Sequence, residues 1–445
     1  MLTEHPITGQ SNMSVLVQNM NTGEIIDSYR PDHVVPPASV MKLLTTGAAL
    51  ELLGSNYRFK TTLEYVAPVE NGVLQGDLYI HGNCDPSLGW KGKTGFLDQW
   101  VKAIRDAGIT RIEGAVIADM TMLDGDAVNP SWLCEDAGNY YAPGIFGINY
   151  YGNTMNIVLK SAEVGSLATV VSTEPKVEGI YFINRIRCSK INYDGAFVSG
   201  MPLSRERYLS GSVPSNQGTF GLKGDLPNPG LLLAQHLTSR LRDFGIKVGR
   251  DAGYEADYNG LNPPRNVLYT HYSQPLRELV KETNINSNNL FAEALFRYLG
   301  TRYGLPGTIH ASQDVIRDFW RRKGVDVGSA IIKDGCGLAP QDAVSAKTFV
   351  QVLNYMAHSK NAEAWMASLP VSGVSGTIKN LCADTPLQGR IHAKSGTISG
   401  TKNFAGYIDM PNGDQWVFTV LVSSAPGKAK KIQTVIQEYL LDLCQ

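Results

Sequence analysis

At 445 residues the chain is longer than one compact domain needs, so two or three domains are expected. With 43% hydrophobic and 18% charged residues, and 40 Lys and Arg against 41 Asp and Glu for a net charge of -1, it has the composition of an ordinary globular protein. Near-neutral charge and only short basic clusters (Arg321-Arg322-Lys323, Lys428 to Lys431) argue against a nucleic-acid partner, and no run of about eighteen apolar residues marks a transmembrane segment.

The opening stretch, MLTEHPITGQ, lacks the charged and apolar regions of a secretory signal, which leaves either a cytoplasmic protein or one whose signal has been removed. MSVLVQNMNTGEIIDSYRP alternates around Asn21-Thr22-Gly23 and reads as a strand pair. A helix follows from about Ala38. GVLQGDLYIHGNCDPSLG and RIEGAVIADMTML read as strands, with the helix FLDQWVKAIRDAG between them. From about 150 to 235 the chain is rich in Gly, Ser, Tyr and Val with little helical period, which predicts a small β-rich unit before the helix LLLAQHLTSRLRDFG. Beyond Leu268, helices are expected in PLRELVKETN, LFAEALFRYLG, IHASQDVIRDFWRRKG and SAKTFVQVLNYMAH. Strands follow in GRIHAKSGTISG, KNFAGYIDM and QWVFTVLVSS, the last two joined through Pro411-Asn412-Gly413-Asp414. The ends of the chain share a style that the middle lacks, so the expected architecture is an α/β domain from 1–66 and 267–445 around a guest of two smaller parts, 67–150 with 235–266, and the β-rich 151–234. Six cysteines without CxxC spacing argue against a zinc knuckle or redox pair; their even number permits disulfides without showing them.

Two residues interrupt the apolar stretch PPASVMKLLTTGAALELLG. Ser39 and Lys42 are three apart, hence on one helix face within reach of each other. A serine hydroxyl becomes a useful nucleophile once a base takes its proton, and lysine serves when burial or a second cation favours its neutral form. Ser39 would also lie in the first turn, where unpaired backbone N–H groups can steady a developing negative charge. By itself SxxK reads first as a helix cap and a snorkelling lysine, and Ser399-Gly400-Thr401-Lys402 matches it too, in a strand region. Two further motifs follow in order: Ser287 and Asn289 form SxN before a helix, and Lys394-Ser395-Gly396-Thr397 form KSGT on a strand. Decoys exist in Ser359-Lys360-Asn361 and Lys93-Thr94-Gly95; chain order rejects the second, and context favours Ser287 over the first. Lys93 does not belong to a phosphate-binding loop either, because Ser87 stands where that loop needs glycine. No metal-ligand spacing accompanies the histidines, and His392 shares a strand face with Lys394.

SxxK, SxN and K[ST]G in this order identify active-site-serine penicillin-recognising enzymes. The whole chain resembles the penicillin-binding protein 4 type of D-alanyl-D-alanine carboxypeptidase/endopeptidase, the low-molecular-mass class C group. NGVLQGDLYIHGNCDPSLG is similar to its Gly-Asp-Pro segment, KDGCGLAP to its Asp-Gly-Ser-Gly-Leu box and LPVSGVSGTIKN to its Leu-Pro-x-x-Gly segment. The long interval between Ser39 and Ser287 suits a family with two extra domains between those motifs. A class A β-lactamase would have a shorter interval and a Glu-x-x-Leu-Asn motif.

The resemblance implies a β-lactamase/transpeptidase-like domain, an antiparallel sheet flanked by helices, carrying two inserted β-rich domains that are not separate activities. It implies a periplasmic or otherwise extracytoplasmic hydrolase acting on peptidoglycan stem peptides and cross-links, inhibited covalently by β-lactams, with no cofactor or metal; a homodimer is compatible with it. Ser39 would form the acyl-enzyme, Lys42 would be the base of the first step, and Ser287 would relay the proton to the leaving amine. Asn289 would hold the substrate backbone. Lys394 would supply positive potential and, with Ser395 and Thr397 flanking Gly396, receive the terminal carboxylate. The N–H groups of Ser39 and Thr397 would form the oxyanion hole. SWLCEDAGNYYAPG resembles the segment whose acidic and aromatic residues border the pocket for the substrate's diamino acid, which points to Asp136 and Tyr141. Cys336 replaces the serine of the Asp-Gly-Ser-Gly-Leu box, and Pro340 and Ser399 stand where some relatives carry Arg and Gln, which puts the side-chain preference in doubt. The alternatives are a β-lactamase or esterase of the same superfamily, told apart by the lifetime of a penicillin adduct, and a non-catalytic cell-wall-binding module, which intact motif residues count against.

Overall fold

Asn12–Asn19 (β1) turns into Ile25–Tyr29 (β2) through a bend in which the Asn19 side chain accepts the N–H of Asn21 at 2.8 Å and Gly23 takes the left-handed conformation. These strands open a computed structural model that describes residues 2–257, 264–304 and 306–444. The other strands of the sheet come from the far end of the chain: Ile391–Ile398 (β3), Thr401–Asp409 (β4) and Gln415–Ser423 (β5). All pairings are antiparallel, in the order β2-β1-β5-β4-β3, so the two chain ends meet where β1 lies on β5 and β3 is left as an edge.

Period-two alternation gives the sheet two different faces. One face carries Val15, Val17, Phe404, Phe418, Val420 and Val422 against the helix Ala429–Leu443. From sequence no helix is expected there, and only the basic cluster at 428 to 431 stands out. Yet Ile432, Val435, Ile436, Tyr439 and Leu440 keep the i, i+3, i+4 spacing of a helix face, and all are buried. The other face carries Lys394, Asn403 and Tyr407 toward a helical layer. There the Tyr407 hydroxyl donates to the Leu353 carbonyl and accepts from the Trp365 indole.

At the centre of that layer lies α1, Lys42–Leu53, buried from Lys42 through Leu50, as expected of a helix apolar on all sides. Around it pack Leu276–Ile285 (α2), Asn289–Gly300 (α3), Ile309–Arg322 (α4) and Ala346–Ala357 (α5). Gly47 allows close approach: a Cβ there would lie 2.9 Å from the Trp320 ring, whose N–H donates to the Leu44 carbonyl.

These elements form one of two units, made of Met1–Tyr57, Pro275–Tyr303 and Ile309–Gln445; the other is Arg58–Gln274 with Gly304–Thr308. The second unit contains a five-stranded sheet in the order Gly253–Glu255, Val116–Asp119, Leu78–His81, Lys60–Tyr65, Asn266–Tyr272. Helices Phe96–Asp106 and Pro229–Asp243 supply Trp100, Ile104, Leu233 and Leu237 to the core beside it. A further four-stranded sheet runs in the order Lys247–Val248, Arg111–Ile112, Val73–Leu74, Val69–Glu70, and the strands between Thr154 and Asp225 form a three-stranded and a four-stranded sheet around a second core that includes Ile157, Leu159, Val198, Leu209 and Leu222. The division differs from the expected one at its edges. Lys60–Tyr65 and all but the first residue of Asn266–Tyr272, expected in the outer domain, pair with each other because the entering and leaving strands complete the guest's own sheet. Among the described residues no helix is long and apolar enough to cross a membrane, and the six cysteines are free thiols.

Candidate active site

Pro36-Pro37 delivers the chain to Ala38, which holds a left-handed φ of 47°, strained for a residue with a side chain. Ala38–Met41 then form a 3-10 turn, and the α-helix proper begins at Lys42 rather than at Ala38. In a 3-10 turn positions i and i+3 nearly eclipse. Accordingly the Lys42 Nζ lies 2.9 Å from the half-buried Ser39 Oγ.

The turn is gripped from two sides by glycines. A Cβ on Gly396 of β3 would stand 2.5 Å from the Pro37 carbonyl oxygen and 3.2 Å from the Ser39 nitrogen. One on Gly337, whose φ is 82°, would stand 1.9 Å from the Ala38 oxygen. Both segments reach the nucleophile turn as bare backbone.

Lys42 is fully buried and has two partners besides Ser39: Asn289 Oδ1 at 2.7 Å and the Cys336 carbonyl at 2.8 Å. The loop that presents this carbonyl is built around the buried Asp334. Its carboxylate accepts the N–H groups of Cys336 (3.0 Å), Gly337 (2.5 Å), Leu338 (2.9 Å) and Ala339 (2.8 Å). Glu293 accepts the Gly335 N–H at 2.7 Å, and Thr45 donates to the Gly335 carbonyl at 2.7 Å. Glu293, Asp334 and Cys336 could offer a cation ligand atoms within 4.8 Å of one another, but these backbone bonds already engage both carboxylates.

Ser287 occupies a left-handed corner (φ 56°) between α2 and α3, and Asn288 caps α3 by accepting the Phe291 N–H. The corner turns Ser287 toward β3, where Lys394 Nζ donates to its Oγ at 2.9 Å and to the Ser395 carbonyl at 2.7 Å. Beyond, Ser395 Oγ donates to Thr377 at 2.8 Å, and Lys402 donates to Thr397 Oγ1 at 2.9 Å. Ile391 and Ala393 bond outward from the edge strand to Ser372 and Pro370, so alternation points the Thr397 N–H to the same open edge.

Burial pushes the Lys42 ammonium down from its ordinary range, while the Asp334 and Glu293 carboxylates pull it partly back. Lys394, fully buried, is pushed well down by burial and further by the charges of Lys42 and Lys402. Burial, reinforced by Asp334 and Glu293, pushes the Cys336 thiol well up, so it stays protonated.

The structure thus joins Ser39, Lys42 and Asn289 in one hydrogen-bonded group and Ser287 and Lys394 in a second, close enough for Lys394 to feel the charge of Lys42, with Ser395, Gly396 and Thr397 along the same strand. Asp136 and Tyr141 belong to the second unit, where the phenol donates to the Asp136 carboxylate at 2.8 Å. His392 pairs with Asp409 at 3.3 Å. The decoy Asn361 ties the other end of α1, donating to Leu50 and Glu51. Sequence reasoning missed Glu293, Asp334, Thr377 and Lys402 as members of the site. Glu293 had a signal, lying four residues beyond Asn289 and so on its helix face.

The sequence pattern of the D-Ala-D-Ala carboxypeptidase 3 (S13) family matches residues 1–441. A D-alanyl-D-alanine carboxypeptidase of Actinomadura sp. (strain R39) is 28% identical over 451 residues, covering 96% of this chain and 80% of that one. The crystal structure of penicillin binding protein 4 (dacB) from Haemophilus influenzae superposes with a TM-score of 0.86 at 24% identity, over 99% of this chain and 97% of that one. The penicillin G acylated predatory endopeptidase Bd3459 from Bdellovibrio bacteriovorus superposes with a TM-score of 0.53 at 17% identity, over 97% and 91%. The fold is the β-lactamase/transpeptidase-like one with added domains, and the chain belongs to the D-Ala-D-Ala carboxypeptidase 3 (S13) family of peptidases.

Proposed function

We propose that this protein is a serine D-alanyl-D-alanine carboxypeptidase and DD-endopeptidase that works through an acyl-enzyme on Ser39. One observation carries the reading: the set of partners around Lys42 Nζ. Two of them, Asn289 Oδ1 and the Cys336 carbonyl, can only accept hydrogen bonds. A neutral amine would spend its two N–H groups on them and aim its lone pair at the Ser39 hydroxyl, 2.9 Å away. Burial favours that neutral form.

Lys42 would then take the Ser39 proton as Oγ attacks the carbonyl of the penultimate D-alanine. The oxyanion would form between the N–H groups of Ser39 and Thr397. As the C–N bond breaks, the proton would reach the leaving amine through Ser287, held by Lys394. Water would hydrolyse the ester and return Ser39. Ser395 and Thr397 would receive the carboxylate of the departing residue.

β-Lactams would acylate the same serine, in keeping with the penicillin G acylated form of the Bdellovibrio endopeptidase. The carboxylates whose charge reaches Lys42, Glu293 and Asp334, bind backbone N–H groups, which favours a long-lived adduct over the rapid release of a β-lactamase. A peptidoglycan substrate places the protein outside the cytoplasm. Mass spectrometry after penicillin exposure tests the reading. The adduct should sit on the peptide holding Ser39 and vanish, with D-alanine release, in a folded Ser39→Ala variant; an adduct elsewhere, or none in the unaltered enzyme, removes the assignment.

A further inference from the structure

Lys402 is the lysine of the decoy SxxK, and the chemistry above does not use it. It lies on β4 directly across from Thr397 and is 7% exposed. Its Nζ donates to Thr397 Oγ1 at 2.9 Å and stands 5.1 Å from the centre of the Phe404 ring. Among the described residues no carboxylate forms an ion pair with it. A buried cation is ordinarily matched by an anion. Here the surroundings are hydroxyls and another lysine: Thr397, then Ser395 and Thr377 joined at 2.8 Å, with Lys394 close enough to feel the charge of Lys402. Burial alone lowers the ammonium to about 8, and it remains largely charged at neutral pH. Thr397, its partner, is exposed on the edge strand. One buried positive charge, a row of hydroxyls and an open side together describe the receptor for a small monoanion with two oxygens.

We propose that Lys402 is a specificity-determining residue that supplies the counter-charge for a carboxylate on the leaving residue of the substrate, acting on it directly or through the Thr397 hydroxyl. This rests on the acyl-enzyme reading at Ser39 and deepens it. The preferred substrate is an acyl-D-alanyl peptide whose leaving amine bears a carboxylate on the adjacent carbon; the same peptide with that carboxylate capped is disfavoured. Lys402 takes no part in bond making, so it separates substrates without setting the intrinsic rate.

The test compares an acyl-D-alanyl-D-alanine peptide with its C-terminal carboxamide on the full chain, reading kcat/KM for each. The unaltered enzyme should favour the free acid. Lys402→Met should lower kcat/KM for the acid by about 10- to 100-fold, the worth of a hydrogen bond to a charged group, and leave the amide within about twofold. Lys402→Arg should restore much of the preference. Equal losses on both peptides, or an unchanged acid-to-amide ratio in a Met variant whose melting point is at least that of the unaltered enzyme, would overturn the role of Lys402 while leaving Ser39 in place. An unaltered enzyme that cleaves neither peptide would overturn both proposals. If Lys402→Met melts below the unaltered enzyme, Lys402→Arg decides: a preserved acid preference supports the counter-charge, and its loss with amide cleavage intact refutes it.

Discussion

Adding one methyl group at Gly396 tests the architecture of the nucleophile turn. Gly396 has an ordinary strand backbone, so alanine there suffers no conformational penalty, and only the space is at issue. Its Cβ would come within 2.5 Å of the Pro37 oxygen and 3.2 Å of both the Ala38 Cβ and the Ser39 nitrogen, whereas ordinary contact starts at 3.4 Å. The obstacles on the turn side are mostly backbone, and Gly337 backs that turn from behind. The edge strand must therefore retreat by roughly 1 Å, and a misplacement of that size costs about 100-fold in rate. That corresponds to about 2.7 kcal/mol of transition-state stabilisation. Overpacking should take about 1 to 3 kcal/mol from stability, too little to unfold a domain of this size. The second-order rate of labelling by a fluorescent penicillin, read beside a thermal melt, measures both. Gly95→Ala, where an added Cβ meets nothing within 4 Å, is the control and should label normally. Labelling of Gly396→Ala at the unaltered rate would refute the claim that the strand and the Ser39 turn must touch as bare backbone.

Asp334→Asn should act on Lys42 in two separable ways. An amide cannot accept all four N–H groups that the carboxylate holds, so the Cys336 carbonyl should drift from Lys42 and maximal acylation should fall at least about tenfold. Loss of a carboxylate that raises Lys42 should also shift the rising limb of the acylation rate to lower pH; a limb that stays put or moves up contradicts the coupling. Lys402→Met should stabilise the free enzyme near neutral pH. The folded pKa, about 8, lies below the ordinary 10.5, so the unfolded chain binds this proton more tightly. Burying the charge costs up to about 3 kcal/mol below pH 8, and that cost fades as pH rises toward 10.5. The gap between the melting points of the two proteins should close over the same interval, and a gap independent of pH would show that Lys402 is not buried as a charge.

Much of the site was legible because its chemistry is written locally. SxxK places Ser39 and Lys42 one turn apart wherever the segment is helical, and alternation puts KSGT on a strand. The paired strands at Asn12–Tyr29 and the C-terminal β-run were legible from alternation and turn residues. The last helix was missed where a lysine-rich start drew attention from the apolar spacing behind it. The guest boundary was misplaced by several residues, because which sheet a strand joins depends on partners some two hundred residues away.

The order of the motifs, the residue types and the helix and strand periods were determined by sequence alone, since each is a property of neighbours along the chain. Only tertiary structure decided which groups share Lys42, that Asp334 folds the loop behind it, and that Lys402 is buried beside Thr397 without an anion. Proton affinity and hydrogen-bond geometry depend on burial and on atoms within about 4 to 6 Å, and those atoms come from segments that only the folded chain brings together.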